Sequence, residues 1–191
     1  NSLEPTNEWY AISKITGVKA CEAIKKQYNK DYISLMPTNL YGYNDNFDLN
    51  SSHVLPAMIR KFHEAKENNY PSVYLWGSGT PMREFLFIDD LAQAVVCAVE
   101  KNLPENLYNV GSGKDITIKK LSKIIQNIIG YKGKVVWDKT KPDGTPKKLM
   151  DVSKMEAIGW TYSTEIEEGI KKTYKWFLNN IENLKEIKLS N

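Results

Sequence analysis

Short runs of β-branched and aromatic residues alternate with longer segments of helical period along most of this chain. The runs "SVYLWG", "REFLFIDD", "NLYNVGSG" and "KVVWD" are typical of strands, and "HVLPAMIRKFHEAKEN" and "DLAQAVVCAVEKN" are typical of helices. Strands joined through helices pair in parallel, because the crossover returns the chain to the same end of the sheet. The alternation therefore predicts an α/β fold with mostly parallel strand pairing.

The segment "IKKLSKIIQNIIG" carries helix signals at both ends. Thr117 precedes it as a capping residue, and Gly130 closes it. Further helices are predicted from Trp9 to near Tyr28 and from about Thr164 to Asn180, and residues 1–8 are predicted to form a loop. The apolar side chains of the "IKKLSKIIQNIIG" helix recur at helical spacing as Ile118, Leu121, Ile124, Ile125, Ile128 and Ile129.

Composition excludes several classes of protein. Of the 191 residues, 41% are hydrophobic and 26% are charged, which is ordinary for a globular protein. The net charge of +3 gives no reason to expect a nucleic-acid partner. No apolar run is long enough to span a bilayer and no signal peptide is recognised, so we expect no membrane partner and a cytoplasmic location.

Cysteine and histidine are scarce. Cys21 and Cys97 exclude a disulfide framework, and both fall in helical patterns, which predicts that they are buried as small apolar residues. His53 and His63 are the only histidines, and no spacing typical of metal ligands occurs, so no metal site is expected.

The first predicted helix places Tyr10 four residues before Lys14, and residues at that spacing share one helix face. A neighbouring ammonium favours the phenolate form of a tyrosine, which suits a tyrosine that exchanges protons with a substrate. However, 11 Tyr and 24 Lys in this chain produce about one such match by chance. The spacing alone is therefore equally compatible with an ordinary helix surface.

The chain lacks the usual signature of a dinucleotide-binding fold, which begins with a strand, a glycine-rich turn and a helix. Neither GxGxxG nor GxxGxxG occurs, and the turns "GSGTP" and "GSGKD" have different spacings. This chain therefore shows no glycine-rich turn that could bind the pyrophosphate of a dinucleotide.

Several longer motifs carry a resemblance to a known family. In order and spacing, "YAISK", "PTNLYG", "NSSHVLPA", "WGSGTPMREFLFIDDLA", "YNVGSG" and "KPDGTPKKLMD" resemble the GDP-L-fucose synthase family of the extended short-chain dehydrogenase/reductase superfamily. The resemblance runs from about Pro5 to Leu178, and "WGSGTPMREF" and "KPDGTPKKL" are its most specific parts. It implies the C-terminal portion of a Rossmann-like parallel sheet plus a smaller α/β substrate-binding domain. Residues 1–50 would be the remnant of the NADP-binding Rossmann domain. Residues 51–191 would form mainly the substrate domain, with a segment at about 83–110 shared with the Rossmann domain.

The resemblance also implies an activity, which is epimerisation of GDP-4-keto-6-deoxy-D-mannose at C3 and C5 followed by NADPH-dependent reduction at C4. Tyr10 would protonate the C4 oxygen, Lys14 would hold the nicotinamide ribose, and His53 would act as acid or base in the epimerisation. The implied contacts with NADP(H) come from Lys14, Pro37, Thr38, Asn39, Leu40 and His53. For His53, the alternative is a residue that merely opens a helix.

A second implied group contacts the GDP-sugar, and it consists of Lys61, Trp76, Arg83, Asp143 and, less specifically, Lys148. Lys61 stands where the family often has arginine, so bidentate contact is lost there. Each of the others has a structural alternative. Trp76 could belong to the core, Arg83 could form an exposed ion pair with Glu84, and Asp143 could act only as a turn residue in "PDG".

The chain also departs from the family, whose glycine-rich cofactor half and catalytic serine and cysteine lie upstream of Tyr10. We therefore expect this chain alone to be inactive, to bind NADPH poorly and to expose a sheet edge, whereas the intact enzyme would be a homodimer. Two other interpretations stay open. One is a different nucleotide-sugar epimerase, reductase or dehydratase of the superfamily. The other is a non-catalytic module that binds a nucleotide-sugar or forms dimers.

Overall fold

The structure is a computed structural model, and it describes residue 3 and residues 7–101 and 103–184. Most of the loop predicted at residues 1–8 lies outside the described residues. The described helices match the predicted helical segments and add a short one, α5. They are α1 (Glu8–Tyr28), α2 (Val54–Glu67), α3 (Ile88–Glu100), α4 (Ile118–Ile129), α5 (Ser153–Ala157) and α6 (Ile166–Asn180).

Eight strands form three small sheets in the described residues. The strands are β1 (Ser34–Pro37), β2 (Asn39–Tyr41), β3 (Ser72–Trp76), β4 (Met82–Phe87), β5 (Leu107–Val110), β6 (Asp115–Thr117), β7 (Lys134–Asp138) and β8 (Lys147–Lys148). Strand β1 pairs with β5, β2 with β4, β3 with β7 and β8 with β4, all in parallel. Only the β4–β6 pair among them is antiparallel. The predicted mostly parallel pairing is confirmed.

Strand β4 is the strand with the most pairing partners among those described. Its first half pairs with β6 and β8, and its second half pairs with β2. Because side chains alternate along a strand, its two faces serve different layers. Phe85 and Phe87 enter one hydrophobic cluster, and Leu86 enters the other.

The larger cluster lies between α2, α4 and α6 and is rich in aromatic rings. The smaller cluster joins β5, α3 and α5 around Tyr108 and Met155. The two clusters are consistent with two structural layers joined at β4. The division into a cofactor remnant and a substrate domain stays a prediction.

Helix α4 forms as its sequence predicts. The Thr117 hydroxyl accepts a hydrogen bond from the Lys120 N–H at 3.1 Å, and Gly130 ends the helix in the left-handed conformation. The predicted stripe faces inward: four of its members are buried and Ile124 and Ile128 are partly buried against the same cluster.

Two expectations are corrected. Cys21 and Cys97 are partly exposed rather than buried, because α1 has no buried residue and α3 buries only Asp90 and Ala94 in the described chain. The sequence of "KPDGTPKKLMD" predicts a loop, but the segment contains the two-residue strand β8 and is therefore not entirely a loop. None of the described helices is both long enough and apolar enough to cross a membrane.

A buried histidine predicts a specific pH dependence. His63 on α2 is buried, with Nδ1 lying 3.1 Å from the Tyr174 hydroxyl oxygen. Burial lowers the pKa of the imidazole below its ordinary value. As the pH falls through about 6.5, the unfolded chain takes up a proton before the folded chain does, so the free energy of unfolding decreases.

We expect the urea midpoint of this chain to be lower at about pH 5.5 than at about pH 7.5, since that interval spans the unfolded histidine pKa. The His63→Gln variant should show a smaller shift between the two pH values. His53→Gln is the matched control, because His53 is exposed and should leave the shift unchanged. Equal shifts in wild type and His63→Gln would contradict this assignment.

Candidate functional site

An open cleft of about 200 Å³ lies where β3, β4 and α4 meet the loop after β7. Three of the predicted substrate-contacting residues line it together, namely Trp76, Arg83 and Asp143. The remaining lining residues are Val54, Gly79, Pro81, Ile118 and Pro142. Val54 directly follows His53, so the predicted acid/base residue is adjacent in sequence to the cleft lining.

Trp76 ends β3 with its indole 68% exposed. Alternate residues of β3 point outward, which places Trp76 on the solvent side and excludes the alternative that it belongs to the core. Two ammonium groups flank its ring: Lys61 Nζ lies 5.9 Å and Lys141 Nζ 5.5 Å from the ring centroid. An exposed aromatic ring beside two cations suits a flat ring attached to an anion.

Lys61 is half-buried on α2 and donates a hydrogen bond to the Tyr74 carbonyl oxygen at 3.3 Å. Burial lowers the pKa of its ammonium group. This contact holds the Lys61 side chain beside β3.

Arg83 lines the cleft from β4, and one guanidinium nitrogen donates to the Met82 carbonyl oxygen at 2.8 Å. Burial lowers the pKa of the guanidinium group, which still remains charged at neutral pH. The alternative of an exposed Arg83–Glu84 ion pair is wrong. Glu84 points to the opposite face of the strand, is fully buried and accepts hydrogen bonds from main-chain N–H groups.

Asp143 fastens the loop after β7 to the turn after β3. Its two carboxylate oxygens accept hydrogen bonds from the Ser78 N–H at 2.6 Å and from the Ser78 hydroxyl at 2.8 Å. These bonds hold the pKa of the carboxyl group below its ordinary value. Gly77 has a φ of 77°, and a Cβ there would lie 2.3 Å from an Asp143 oxygen, so this close approach requires glycine. The structural alternative for Asp143 is therefore supported, alongside its position in the cleft.

The predicted cofactor segment Pro37–Leu40 connects two sheets. Strand β1 ends at Pro37 and β2 begins at Asn39. The Thr38 N–H donates to the Val110 carbonyl oxygen, while the Asn39 side-chain amide donates to the Glu84 carbonyl oxygen at 2.7 Å. The Asn39 side chain thus has a structural role, and the contact of this segment with a cofactor stays a prediction.

Tyr10 and Lys14 lie outside the cleft lining on α1. The Lys14 ammonium lies 5.2 Å from the centroid of the Tyr10 ring, and the Tyr10 side chain is 60% exposed. His53 is exposed at the start of α2 and makes no side-chain cap to that helix. The three predicted catalytic residues are therefore accessible, and their roles stay predictions.

Sequence reasoning missed part of the site. Lys141 lies two residues before Asp143 in "KPDG", and its place beside Trp76 depends on the parallel pairing of β3 with β7, which brings the start of that loop to the end of β3. Lys148, in contrast, is exposed on β8 opposite Arg83 in register and does not line the cleft. Among the described residues, no cluster of three or more acidic, histidine or cysteine side chains could hold a metal ion.

The parallel strand pairs and crossover helices define an α/β protein of the Rossmann-like class. The chain belongs to the NAD dependent epimerase/dehydratase family, whose family model matches residues 1–111. It is 55% identical over 179 residues to a putative GDP-L-fucose synthase 2 of Arabidopsis thaliana, covering 94% of this chain and 55% of that protein. It is 52% identical over 188 residues to the GDP-L-fucose synthase of Escherichia coli K12, covering 94% of this chain and 59% of that protein. The resemblance seen in the sequence motifs is confirmed.

A solved structure supports the same fold. The chain matches an NADP-bound GDP-mannoheptose C4 reductase from Campylobacter jejuni with a TM-score of 0.82 and 33% identity, over 93% of this chain and 62% of that one. The chain spans little more than half the length of the curated relatives it matches.

Tyr10 and Lys14 are the residues on α1 that could hold one end of a nicotinamide dinucleotide. The Tyr10 phenol and the Lys14 ammonium are accessible on one helix face, where a ribose hydroxyl could accept a hydrogen bond from the lysine. No glycine-rich phosphate turn of the expected spacing occurs in the given sequence, and the assignment of Tyr10 and Lys14 to the nicotinamide ribose stays a prediction.

The Asp143–Ser78 contact predicts a measurable change in loop mobility. In Asp143→Ala, both hydrogen bonds are lost, and we expect the Ser78 amide and the amides of residues 139–144 to exchange with deuterium several times faster. Asp143→Asn is the matched control, because its side-chain carbonyl oxygen can still accept from the Ser78 N–H. Unchanged Ser78 exchange in Asp143→Ala would show that the carboxylate does not hold this loop.

Proposed function

We propose that this chain contributes the substrate-binding half and the catalytic tyrosine, lysine and histidine of a GDP-L-fucose synthase. Its substrate would be GDP-4-keto-6-deoxy-D-mannose, and its product GDP-L-fucose. The observation that carries this proposal is the convergence of Trp76, Arg83 and Asp143 on one cleft, in a chain that is 52–55% identical to GDP-L-fucose synthases. The same proposal places this activity in the cytoplasm, the location that the sequence analysis expects.

The cleft suits the nucleotide end of such a substrate. The exposed Trp76 face would stack on the guanine ring, and the planar Arg83 guanidinium would form two parallel hydrogen bonds with the diphosphate. Lys61 and Lys141 add positive charge beside the indole. Lys148 does not line the cleft, but it lies next to Arg83 in the β4–β8 pair and would add positive charge near the diphosphate.

The proposed chemistry has two stages, and this chain supplies acid/base groups for both. The C4 ketone acidifies the neighbouring C3–H and C5–H bonds, so an acid/base pair can remove a proton from one face of the sugar and return one to the other face. His53 would be one member of this pair, and the family's cysteine upstream of Tyr10 would be the other. When bound, NADPH supplies the hydride that reduces C4. Tyr10 then donates its proton to the C4 oxygen, and Lys14 favours the resulting phenolate while it orients the ribose.

We further propose that the active enzyme is a homodimer in which α1 contributes to the interface. Helix α1 has no buried residue in the described chain, and its exposed apolar side chains form a surface that favours association. The exposed large apolar and aromatic side chains of α1 are Trp9, Tyr10, Ile12, Ile15 and Tyr28.

The proposed nucleotide site predicts that this 191-residue chain binds GDP. In Arg83→Lys, a bidentate contact becomes a single charge, and we expect the dissociation constant measured by calorimetry to rise about tenfold. Arg60→Lys is the matched control, because Arg60 bonds to Glu64 and the Phe47 carbonyl oxygen outside the cleft. A folded wild-type chain that does not bind GDP would contradict the proposal, and equal affinity for UDP would favour a different nucleotide-sugar enzyme.

The proposed catalytic roles predict a separation of the two stages in the full-length protein. Tyr10→Phe should lower the rate of C4 reduction by about 10²–10⁴, the usual contribution of a general acid. Deuterium uptake from D₂O at C3 and C5 should continue in that variant and should be lost in His53→Asn. Tyr28→Phe is the control, since Tyr28 is equally exposed at the other end of α1. Normal reduction by Tyr10→Phe would refute the role of Tyr10.

A further inference from the structure

Glu84 is a fully buried acidic residue in the middle of β4. Its two carboxylate oxygens accept hydrogen bonds from the Gly113 N–H at 2.8 Å and the Met150 N–H at 2.9 Å. Among the described residues, no lysine or arginine lies within ion-pair distance of it. A buried carboxylate without a cation is costly, so the two main-chain N–H groups are needed to offset its burial.

The surrounding backbone is shaped to admit this carboxylate. A Cβ at Gly111 would lie 2.1 Å from a Glu84 oxygen, closer than any two nonbonded atoms can approach. Gly111 therefore leaves the space that the Glu84 side chain fills, and any larger residue there would displace it. The position of the Glu84 carboxylate therefore depends on glycine at position 111.

The carboxylate joins two segments that are far apart in sequence. Gly113 lies in the turn between β5 and β6, and Met150 lies just after β8. Strand β8 pairs with β4 at Met82 and Arg83, and the Met82 N–H donates to the Pro146 carbonyl oxygen. Glu84 thus fixes the far end of the 139–150 segment.

The near end of that segment is held by the Asp143–Ser78 contact. Between the two anchors the segment passes close to Arg83, since a Cβ at Gly144 would lie 3.6 Å from an Arg83 guanidinium nitrogen. The position of this segment over the guanidinium therefore depends on both anchors.

The main chain of Glu84 has a separate connection. Its carbonyl oxygen accepts hydrogen bonds from the Asn39 amide at 2.7 Å and from the Thr38 hydroxyl at 3.3 Å. A substitution of the side chain leaves these bonds to the predicted cofactor segment in place. The carboxylate and the carbonyl thus act on different sides of the proposed active site.

We propose that Glu84 is a positioning residue for nucleotide-sugar binding. Its carboxylate holds the 139–150 segment against β4, so that Arg83 and the segment together enclose the diphosphate, while Glu84 itself touches no ligand. This inference rests on the proposed function, and it assigns a specific effect to a residue on the face of β4 opposite the cleft.

The first test is GDP binding to this chain. Glu84→Gln keeps the size of the side chain but replaces one acceptor oxygen with a donor amide, which cannot accept an N–H. We expect the dissociation constant for GDP to rise about tenfold. Gly111→Ala should weaken binding in the same direction, because it displaces the carboxylate. Glu105→Gln is the matched control, since it removes one carboxylate from a surface ion pair with Lys154.

The second test separates positioning from general destabilisation. In the full-length protein, Glu84→Gln should raise KM for the GDP-sugar and leave KM for NADPH unchanged, because the carbonyl contacts with Thr38 and Asn39 persist. An equal rise in both constants would overturn the inference. If wild type binds GDP and a folded Glu84→Gln chain binds it equally well, the inference fails while the proposed function stands. If the wild-type chain does not bind GDP, the proposed function is contradicted, and the inference about Glu84 falls with it.

A third measurement needs no variant. If the position of the 139–150 segment is coupled to the ligand, GDP must slow deuterium exchange at the Met150 and Gly113 amides of the wild-type chain. Exchange that GDP leaves unchanged at both amides would overturn the inference even if Glu84→Gln did not fold.

Discussion

The alternation of side chains along β4 is the constraint on which the rest of this structure depends. Six residues of this strand place Arg83 in the cleft, Phe85 and Phe87 in the larger hydrophobic cluster, and Leu86 in the smaller one. A shift of one residue would exchange the faces, turning the guanidinium away from the cleft and taking both rings out of the larger cluster. Correct register of β4 is therefore needed for the core and for the cleft at the same time.

The register of β4 is secured by more than sheet pairing. Three strands pair with it, and Glu84 adds bonds to two further segments through its side chain. In a shifted register the Glu84 carboxylate would meet the larger apolar cluster without hydrogen-bond partners, at a cost of several kcal/mol. The residue that we propose to position the site thus also disfavours the wrong register.

Much of the fold could be predicted from local signals. Helix α4 is the clearest case, because Thr117, Gly130 and the isoleucine stripe act over only a few residues. Strands β2, β6 and β8 and helix α5 were not predicted, since segments of two to five residues carry no usable periodicity. Their conformation is set by neighbours such as β4, which lie more than 25 residues away. The predicted burial of Cys21 failed for a related reason: an apolar pattern predicts which face of a helix prefers burial but not whether anything covers it.

The residues of the candidate site likewise divide into those that could be predicted from local motifs and those that could not. Trp76, Arg83 and Asp143 could be predicted because specific motifs carry them, and the structure brings them to one cleft. Lys141 and Glu84 could not, because their roles depend on contacts across 65 or 66 residues of sequence. Glu84 reaches Met150, and the loop that holds Lys141 is fastened through Asp143 to Ser78. An acidic residue beside an arginine is most simply interpreted as its ion-pair partner, and only the strand geometry reveals that the two point to opposite faces.

The cations around Trp76 also show what a lysine, as opposed to an arginine, can contribute at position 61. Lys61 and Lys141 carry ammonium groups that lie over the indole ring, and an ammonium acts as a point charge without a preferred direction toward an anion. Arg83 extends from β4 into the cleft, and its planar guanidinium presents N–H groups in a fixed fork that matches two phosphate oxygens. Directional recognition of a diphosphate therefore falls to Arg83, while the lysines supply charge without defined geometry. A lysine at position 61 can keep its electrostatic contribution as long as Arg83 and the segment above it are held in place.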